Sequence, residues 1–395
     1  MSLTNPYAGV GGPGGRWYKG SLHAHSDTAE MYPGSTHNEE DKPRSAAAVL
    51  QTYKDAGYDF VVLAEQNEYT TQSDIGRIPQ PPGGIIVIPG AELDGGRVST
   101  NQHLSHVNPS DDTNFHVKPG ERLPLVDIVD RAKDDPQRYD KDPTKPRQLI
   151  TQLHPQFPRE PDGHEKNILG SRKVGALEIV NSWWMQRPHA FEDSSGKYSP
   201  FAFHLWDRLL KPIERNEPCN KVWGVAGCCS VAERDVGVSW IKVWLDKGIT
   251  PSADSLMDAI GAGRFYVSSV STKRDPNKPP GPNNPPNSYQ NATGVEIDEV
   301  KIGPNGTGVT IKTNATHVYA IVDGSPRLKV PNGTAAGTFT TAFPFPDPDG
   351  HGDHFPDAKY IRFECVGPGD DWDTSYDWDN TQQLNRSWTQ PIWVN

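Results

Sequence analysis

A proline- and asparagine-rich segment at residues 275–291 divides this sequence into two parts with different patterns. The segment has almost no apolar residues with which to build a core, which is typical of a linker. Before it, short apolar runs alternate with helical patterns, as in repeated β-α units. After it, strand patterns follow one another with no helical pattern between them. We therefore expect an α/β domain at residues 1–274, a linker at 275–291 and an all-β sandwich domain at 292–395.

Local patterns locate the elements within these parts. Ser45 is a suitable N-cap for a helix that runs through Tyr53 and is ended by Gly57. Further helices are expected at Leu125–Lys133, Phe201–Leu210 and Ser252–Ala262. Strands of the first part are expected at Tyr58–Ala64, Ile85–Ile88, Gln148–Leu153, Ala176–Val180, Lys221–Ala226 and Trp240–Leu245. Strands of the second part are expected at Val295–Ile302, Val309–Thr313, Val318–Val322 and Tyr360–Cys365.

The composition argues against two classes of partner. The formal net charge of −11 at pH 7 disfavours a nucleic-acid partner, because nucleic-acid binding draws most of its affinity from a basic surface. No apolar run approaches the roughly 18–20 residues that are needed to span a bilayer, so we expect no membrane-spanning segment. A small-molecule or glycan substrate is the expected partner.

Three features bear on the compartment. The first residues of the chain carry no signal-peptide pattern. Five Asn-x-Ser/Thr sequons begin beyond residue 290, although chance would produce some in so Asn-rich a segment. Cys219 is spaced to form a disulfide with Cys228 or Cys229 in an exported protein, and buried thiols are the alternative. The sequons and the cysteine spacing favour an extracellular or periplasmic location over a cytoplasmic one, although the first residues do not support it.

The first expected strand ends in a His-x-His pair, His23 and His25. Residues i and i+2 of a strand point to the same face, so the two imidazoles can converge on one metal ion. Parallel β/α folds collect functional groups at the carboxyl ends of their strands, and polar groups recur there in this sequence. They are Glu65, Gln66, Glu92, His103, His106, His154, Glu178 and Asn181.

These motifs resemble the PHP (polymerase and histidinol phosphatase) superfamily, especially its exported carbaryl-hydrolase-like branch. The family's opening motif stands here as Gly20-Ser-Leu-His23-Ala-His25, and Pro89-Gly-Ala-Glu92, His106-Val-Asn108 and His154-Pro155 follow in the family's order. The resemblance covers residues 17–245, and the closing Trp388–Val394 matches the end of the family's β-domain. It implies a distorted (β/α)7 barrel, similar to a TIM barrel, with up to three metal ions and an activity on phosphate or other esters.

Two departures from the family pattern predict a reduced metal site. The family's Thr-Asp-His is Ala64-Glu65-Gln66 here, and its Gly-Ser-Asp-x-His is Gly227-Cys228-Cys229-Ser230-Val231. An amide is a poor metal ligand and valine is none. Cys229 either binds as a thiolate in the aspartate's place or is an inert thiol. The expected ligands of one ion, at most two, are therefore His23, His25, Glu92, His106 in preference to His103, and His154.

We predict a metal-dependent hydrolase in which a divalent ion, zinc or manganese, activates water to attack an ester. By resemblance the ester is a phosphoester. Glu65, Gln66 and Glu92 are the candidate catalytic groups, and Glu178, Asn181 and Trp184 are candidate substrate-binding groups. The alternatives are a non-catalytic protein that binds a ligand or glycan, an enzyme acting on a glycan or aryl ester, and a β-sandwich that carries the recognition function by itself.

Overall fold

The computed structural model describes the chain in several segments. They are residues 3–26, 45–66, 69–94, 103–109, 148–153, 174–182, 203–210, 222–229, 236–270, 294–303, 308–324, 328–333, 337–342, 358–367 and 385–394. The expected helix at 125–133 and the expected linker at 275–291 lie outside them.

Most described elements are strands. The first ten are β1 (Leu3–Thr4), β2 (Arg16–Ala24), β3 (Phe60–Gln66), β4 (Ile86–Asp94), β5 (His103–Val107), β6 (Leu149–Leu153), β7 (Ala176–Asn181), β8 (Trp223–Gly227), β9 (Ser239–Leu245) and β10 (Phe265–Ser269). The rest are β11 (Ile297–Ile302), β12 (Gly308–Thr313), β13 (His317–Val322), β14 (Leu328–Lys329), β15 (Thr338–Ala342), β16 (Tyr360–Val366), β17 (Arg386–Thr389) and β18 (Ile392–Val394). The described helices are α1 (Ala46–Asp55), α2 (Gln72–Ile75), α3 (Phe203–Leu210) and α4 (Ala253–Gly261).

Helix capping and apolar runs place several elements where the sequence predicts them. The Ser45 side chain accepts a hydrogen bond from the amide of Ala48 and caps α1. Ser252 caps α4 in a capping box with Ser255. The six strands expected before residue 250 correspond to β3, β4, β6, β7, β8 and β9. No helix in the described segments is long and apolar enough to cross a membrane.

The arrangement of these strands is a large mixed sheet, and the predicted (β/α)7 barrel is wrong. The sheet runs in the order β1-β18-β16-β17-β10-β9-β2-β3-β4-β5-β6-β7-β8. Among the described strands, only β2-β3-β4 and β6-β7-β8 are parallel, while β5 lies antiparallel between β4 and β6. An antiparallel neighbour needs no helical crossover, so the described segments contain far fewer helices than repeated β-α units require.

The strands beyond residue 292 divide between two sheets. Antiparallel pairing of β10 with β17 joins β13, β14, β16, β17 and β18 to the large sheet. β11, β12 and β15 form a separate three-stranded sheet. Side chains of both sheets, among them Val300, Ile311, Val318 and Phe363, share one buried core. These strands therefore do not form a sandwich with sheets of its own, and the domain boundaries at 274 and 292 stay predictions.

Candidate metal centre

Side chains from β2, from the residue that directly follows it and from β4 converge in a buried position. His23 Nε2 lies 3.0 Å from His25 Nε2 and 3.1 Å from Glu92 Oε2. His25 Nε2 lies 2.9 Å from the same carboxylate oxygen. The side chains of His23, His25 and Glu92 are 0%, 13% and 3% exposed. The structure thus brings together three of the predicted metal ligands.

The end of β8 adds a fourth group to these three. Cys229 Sγ lies 4.0 Å from His25 Nε2, and the four donor atoms all lie within 4.8 Å of one another. The amides of Cys228 and Cys229 both donate to the carbonyl of His23, at 2.9 and 3.1 Å, which ties this turn to the end of β2. Hereafter the metal centre means His23, His25, Glu92 and Cys229.

The metal centre favours positive charge. Burial lowers the pKa of His25, but hydrogen bonds to Cys229 and Glu92 outweigh it and raise that pKa to about 9. Burial likewise lowers the pKa of His23, yet the charges of Cys229, Glu92 and Glu178 raise it well above its ordinary value. A divalent cation supplies positive charge at the same point.

The donor set and its spacing fit such a cation. Imidazole nitrogen, carboxylate oxygen and thiolate sulfur are each donors that bind zinc in proteins. Bonds of about 2.0–2.1 Å to nitrogen and oxygen space tetrahedral donors by about 3.3 Å, and a bond of about 2.3 Å to sulfur extends the sulfur–nitrogen spacing to about 3.5 Å. The observed spacings of 2.9–3.1 Å among nitrogen and oxygen and 4.0 Å to sulfur follow the same order. These residues form a possible metal-binding group.

Two predicted substrate-binding residues lie behind His23. Glu178 Oε1 is 3.3 Å from His23 Nδ1, and the amide nitrogen of Asn181 donates to Glu178 Oε2 at 2.9 Å. A carboxylate at the second nitrogen of a ligating histidine fixes its tautomer and ring orientation. Both residues are almost completely buried, so the contacts observed for this pair orient a metal ligand.

Strand parity separates the two histidines of β5. In the antiparallel register Ser105 pairs with Glu92 and His106 pairs with Ala91, so His103 shares the face of Glu92 and His106 lies on the opposite face. His103 Nδ1 is hydrogen bonded to Glu92 Oε1.

The His106 ring is engaged away from the metal centre. Its Nδ1 is 3.0 Å from the Tyr69 hydroxyl and its Nε2 is 2.5 Å from Gln148 Oε1. The structure therefore brings His103 to the metal centre, whereas the sequence motif favours His106. The two histidines differ in whether they lie on the same face of the sheet as Glu92. This signal can be read from the sequence only if residues 103–107 are known to form a strand paired with β4.

The remaining predicted site residues have other surroundings or lie outside the described segments. The Glu65 carboxylate accepts hydrogen bonds from the Ser26 amide at 3.0 and 3.1 Å and from its hydroxyl at 2.5 Å. It thus anchors the backbone directly after His25. Gln66 belongs to β3, where its backbone is in register with Glu92, and its side chain is not described. His154 and Trp184 lie outside the described residues.

Comparison with known proteins adds one distant structural neighbour. No protein-family model matches the sequence, and no curated protein matches it. The crystal structure of PsfC from Pseudomonas syringae PB-5123 is similar at 13% identity and a TM-score of 0.35, over 62% of this chain and 88% of the PsfC chain. So low a similarity transfers no function between the two proteins, and the resemblance to the PHP superfamily rests on the sequence motifs alone.

Proposed function

We propose that this protein is a metal-dependent hydrolase in which His23, His25 and Glu92 hold one divalent cation, zinc or manganese. The observation that carries the proposal is the convergence of their three donor atoms, spaced 2.9–3.1 Å apart, in a buried position. Two imidazoles and one carboxylate are a common protein ligand set of catalytic zinc, which keeps a further position open.

The chemistry of the proposal needs an ion and a positioned ligand shell. When bound, such an ion lowers the pKa of coordinated water to near neutrality and polarises a substrate oxygen. Glu178 and Asn181 hold the His23 ring in place, and His103 holds the second oxygen of Glu92. The proposed reaction is hydrolysis of an ester. The sequence resemblance favours a phosphoester as the bond that is cleaved, and the molecule that carries it would be a small molecule or a glycan.

A second candidate function is a structural metal site in a non-catalytic protein. It is favoured by the presence of four protein donors, because structural zinc sites are closed by four protein ligands. The ion would then join the ends of β2 and β8 to β4, and the protein would bind a ligand or a partner. Metal content is common to both candidates, whereas turnover distinguishes them.

The experiment measures metal content and turnover on the same purified full-length chain. Elemental analysis after chelator-free purification is expected to find about one equivalent of a transition metal. The double variant H23A/H25A is expected to lose this metal together with activity on a panel of aryl phosphates and aryl esters. His317→Ala, a histidine of β13, serves as the control and should retain both.

Two results would contradict the proposal. Less than about half an equivalent of metal, with no gain after adding zinc or manganese, would refute the site itself. Activity retained in H23A/H25A would refute its role in the reaction. Metal lost from the double variant, together with a lower melting temperature and no turnover by the wild type, would select the structural alternative.

A proposal of export accompanies this function. The described cysteines Cys228, Cys229 and Cys365 are not joined in disulfides, so the support comes from the sequons beyond residue 290. Secretion of the chain by its native host, measured by fractionation, tests the proposal, and recovery from the cytoplasm alone would refute it.

A further inference from the structure

We infer that Cys229 binds the same divalent ion as a thiolate, so that the protein supplies two nitrogens, one oxygen and one sulfur, and a reacting water would take a fifth position. This inference rests on the proposed metal site of His23, His25 and Glu92, and it specifies which ions that site selects. The thiol proton leaves to solvent as the metal–sulfur bond forms, so the step needs no oxidant or other reactant.

The backbone places the Cys229 sulfur at the metal centre. Cys229 has a φ of 50°, in the left-handed region that residues with a Cβ rarely adopt. Hydrogen bonds from two consecutive amides to the His23 carbonyl hold the turn in this conformation. The turn that carries Cys229 is thus fastened to the backbone of His23, which is itself one of the proposed ligands.

The position of the sulfur relative to the other donors supports ligation. Cys229 Sγ lies 4.0 Å from His25 Nε2, about 0.5 Å beyond the spacing of about 3.5 Å that tetrahedral sulfur and nitrogen ligands have, so a small inward movement of the thiol would complete the ligand set. Cys228, the preceding residue, is completely buried and packs in a core cluster with Val49 and Tyr53 of α1. The two adjacent thiols therefore have different environments.

A thiolate ligand changes the choice of metal. Thiolate favours zinc and cobalt(II), whereas manganese and magnesium prefer carboxylate, carbonyl and water oxygens. A site with only His23, His25 and Glu92 would discriminate less between zinc and manganese. We therefore expect zinc to be bound in preference to manganese, and we expect Cys229→Asp to reduce this preference about tenfold or more.

The experiment uses cobalt(II) as a spectroscopic probe in the full-length chain. The protein is stripped with a chelator, reconstituted with cobalt(II) and examined for thiolate-to-cobalt charge-transfer absorption in the near ultraviolet. The wild type and the control C228S should show this band, and C229S should lose it while still binding cobalt. Competition between zinc and manganese is then measured for the wild type and Cys229→Asp.

The outcomes separate this inference from the proposed function. Cobalt bound by the wild type without the charge-transfer band, or a band that survives in C229S, overturns the inference. An unchanged zinc preference in Cys229→Asp overturns it as well. Ester hydrolysis by a wild type that lacks the band leaves the proposed function standing and refutes thiolate ligation. A band that depends on Cys229 in a protein with no hydrolytic activity supports the inference and refutes the function.

Discussion

At the scale of single residues, the missing side chain of Gly227 allows β8 to approach the metal centre. A Cβ at this position would lie 2.3 Å from Glu178 Oε1 and 2.5 Å from His23 Cβ. Real Cβ atoms do not approach other atoms so closely, so both neighbours, or the backbone at Gly227, would have to move. The absence of a side chain at Gly227 therefore leaves the space that the His23 and Glu178 side chains occupy.

We predict that Gly227→Ala destabilises the protein by about 1–3 kcal/mol, as overpacking of a core does, and weakens metal binding. Denaturant unfolding and a chelator competition measure the two effects. Gly76→Ala is the matched control, because its Cβ would lie 3.5 Å from the nearest atom in ordinary contact. A Gly227→Ala variant with wild-type stability and metal affinity would contradict the described packing at His23.

Lys19 is a second residue whose environment has a measurable consequence. Its ammonium donates to the Ala56 carbonyl at 3.0 Å and lies 4.4 Å from the centre of the Tyr58 ring. Burial, followed by the charge of Lys242, lowers the pKa of Lys19 to about 8, although Glu296 and Asp59 act in the opposite direction.

We predict that Lys19 makes the folded state more stable as the pH rises from 8 towards 10. In this range the unfolded chain binds a proton at Lys19 and the folded chain releases it, so the free energy of unfolding increases with pH. The gain up to pH 9.5 is at most about 2 kcal/mol. Denaturant titrations at several pH values measure it as the difference between the wild type and Lys19→Met, which cancels the ionisation of other groups. A pH-independent difference would refute the lowered pKa.

At the scale of elements, the direction and parity of β5 decide which histidine reaches the metal centre. His103 contacts Glu92, whereas both ring nitrogens of His106 are hydrogen bonded to Tyr69 and Gln148. We predict that His103→Ala weakens metal affinity about 10–100-fold, as the loss of a residue that orients a ligand does. We expect His106→Ala to keep the wild-type affinity and to lower stability, because the buried Tyr69 and the partly buried Gln148 each lose a hydrogen bond.

Isothermal titration with zinc and thermal unfolding measure these two effects side by side. The two alanine variants remove the same side chain from one strand, so each controls for the other. Loss of metal from His106→Ala, with His103→Ala unaffected, would reverse the assignment of faces in β5.

The elements also show what the sequence could and could not predict. Apolar runs and the Ser45 cap predict the position of several strands and of α1, because burial and capping are local properties. His23, His25 and Glu92 are predicted for the same reason, since each ends or follows an apolar run. The antiparallel insertion of β5 was not predicted, because strand direction depends on partners that are distant in sequence. The predicted barrel assumed a parallel strand at this position. The preference for His106 over His103 came from the His-Val-Asn motif of the resemblance, which carries no information on which face of β5 each histidine occupies.

At the scale of the whole molecule, buried polar contacts connect the two parts of the chain. Arg362 of β16 donates from Nε and Nη2 to Asp207 of α3 at 2.7 and 2.5 Å, and the two side chains are 2% and 11% exposed. The Gln390 side chain exchanges two hydrogen bonds with the backbone of Gly224 in β8, at 2.9 and 2.8 Å. The strand that leads to Cys229 is therefore held by the carboxyl-terminal part.

We predict that Asp207→Asn destabilises the protein by about 3–5 kcal/mol, since it removes the negative charge that is hydrogen bonded to the buried Arg362 guanidinium. Asp246→Asn is the matched control. Asp246 pairs with Arg264, but the side chains are 49% and 28% exposed, so its loss should cost less than about 1 kcal/mol. Denaturant unfolding compares the two variants, and equal effects would show that the Arg362 ion pair is not buried in solution.

Residues 292–395 are predicted not to fold as an independent module. Separated from the rest, β17 loses its pairing with β10, β18 loses its pairing with β1, and Arg362 loses Asp207. An unpaired strand edge and an uncompensated buried charge both oppose a stable isolated fold. Expression of this fragment, followed by circular dichroism and thermal unfolding, should show no cooperative transition. Mixing the fragment with residues 1–274 should restore a transition only if the two parts reassemble through β10 and β17. A fragment that unfolds cooperatively alone and binds a glycan would instead support a separate recognition module and contradict the continuity of the large sheet.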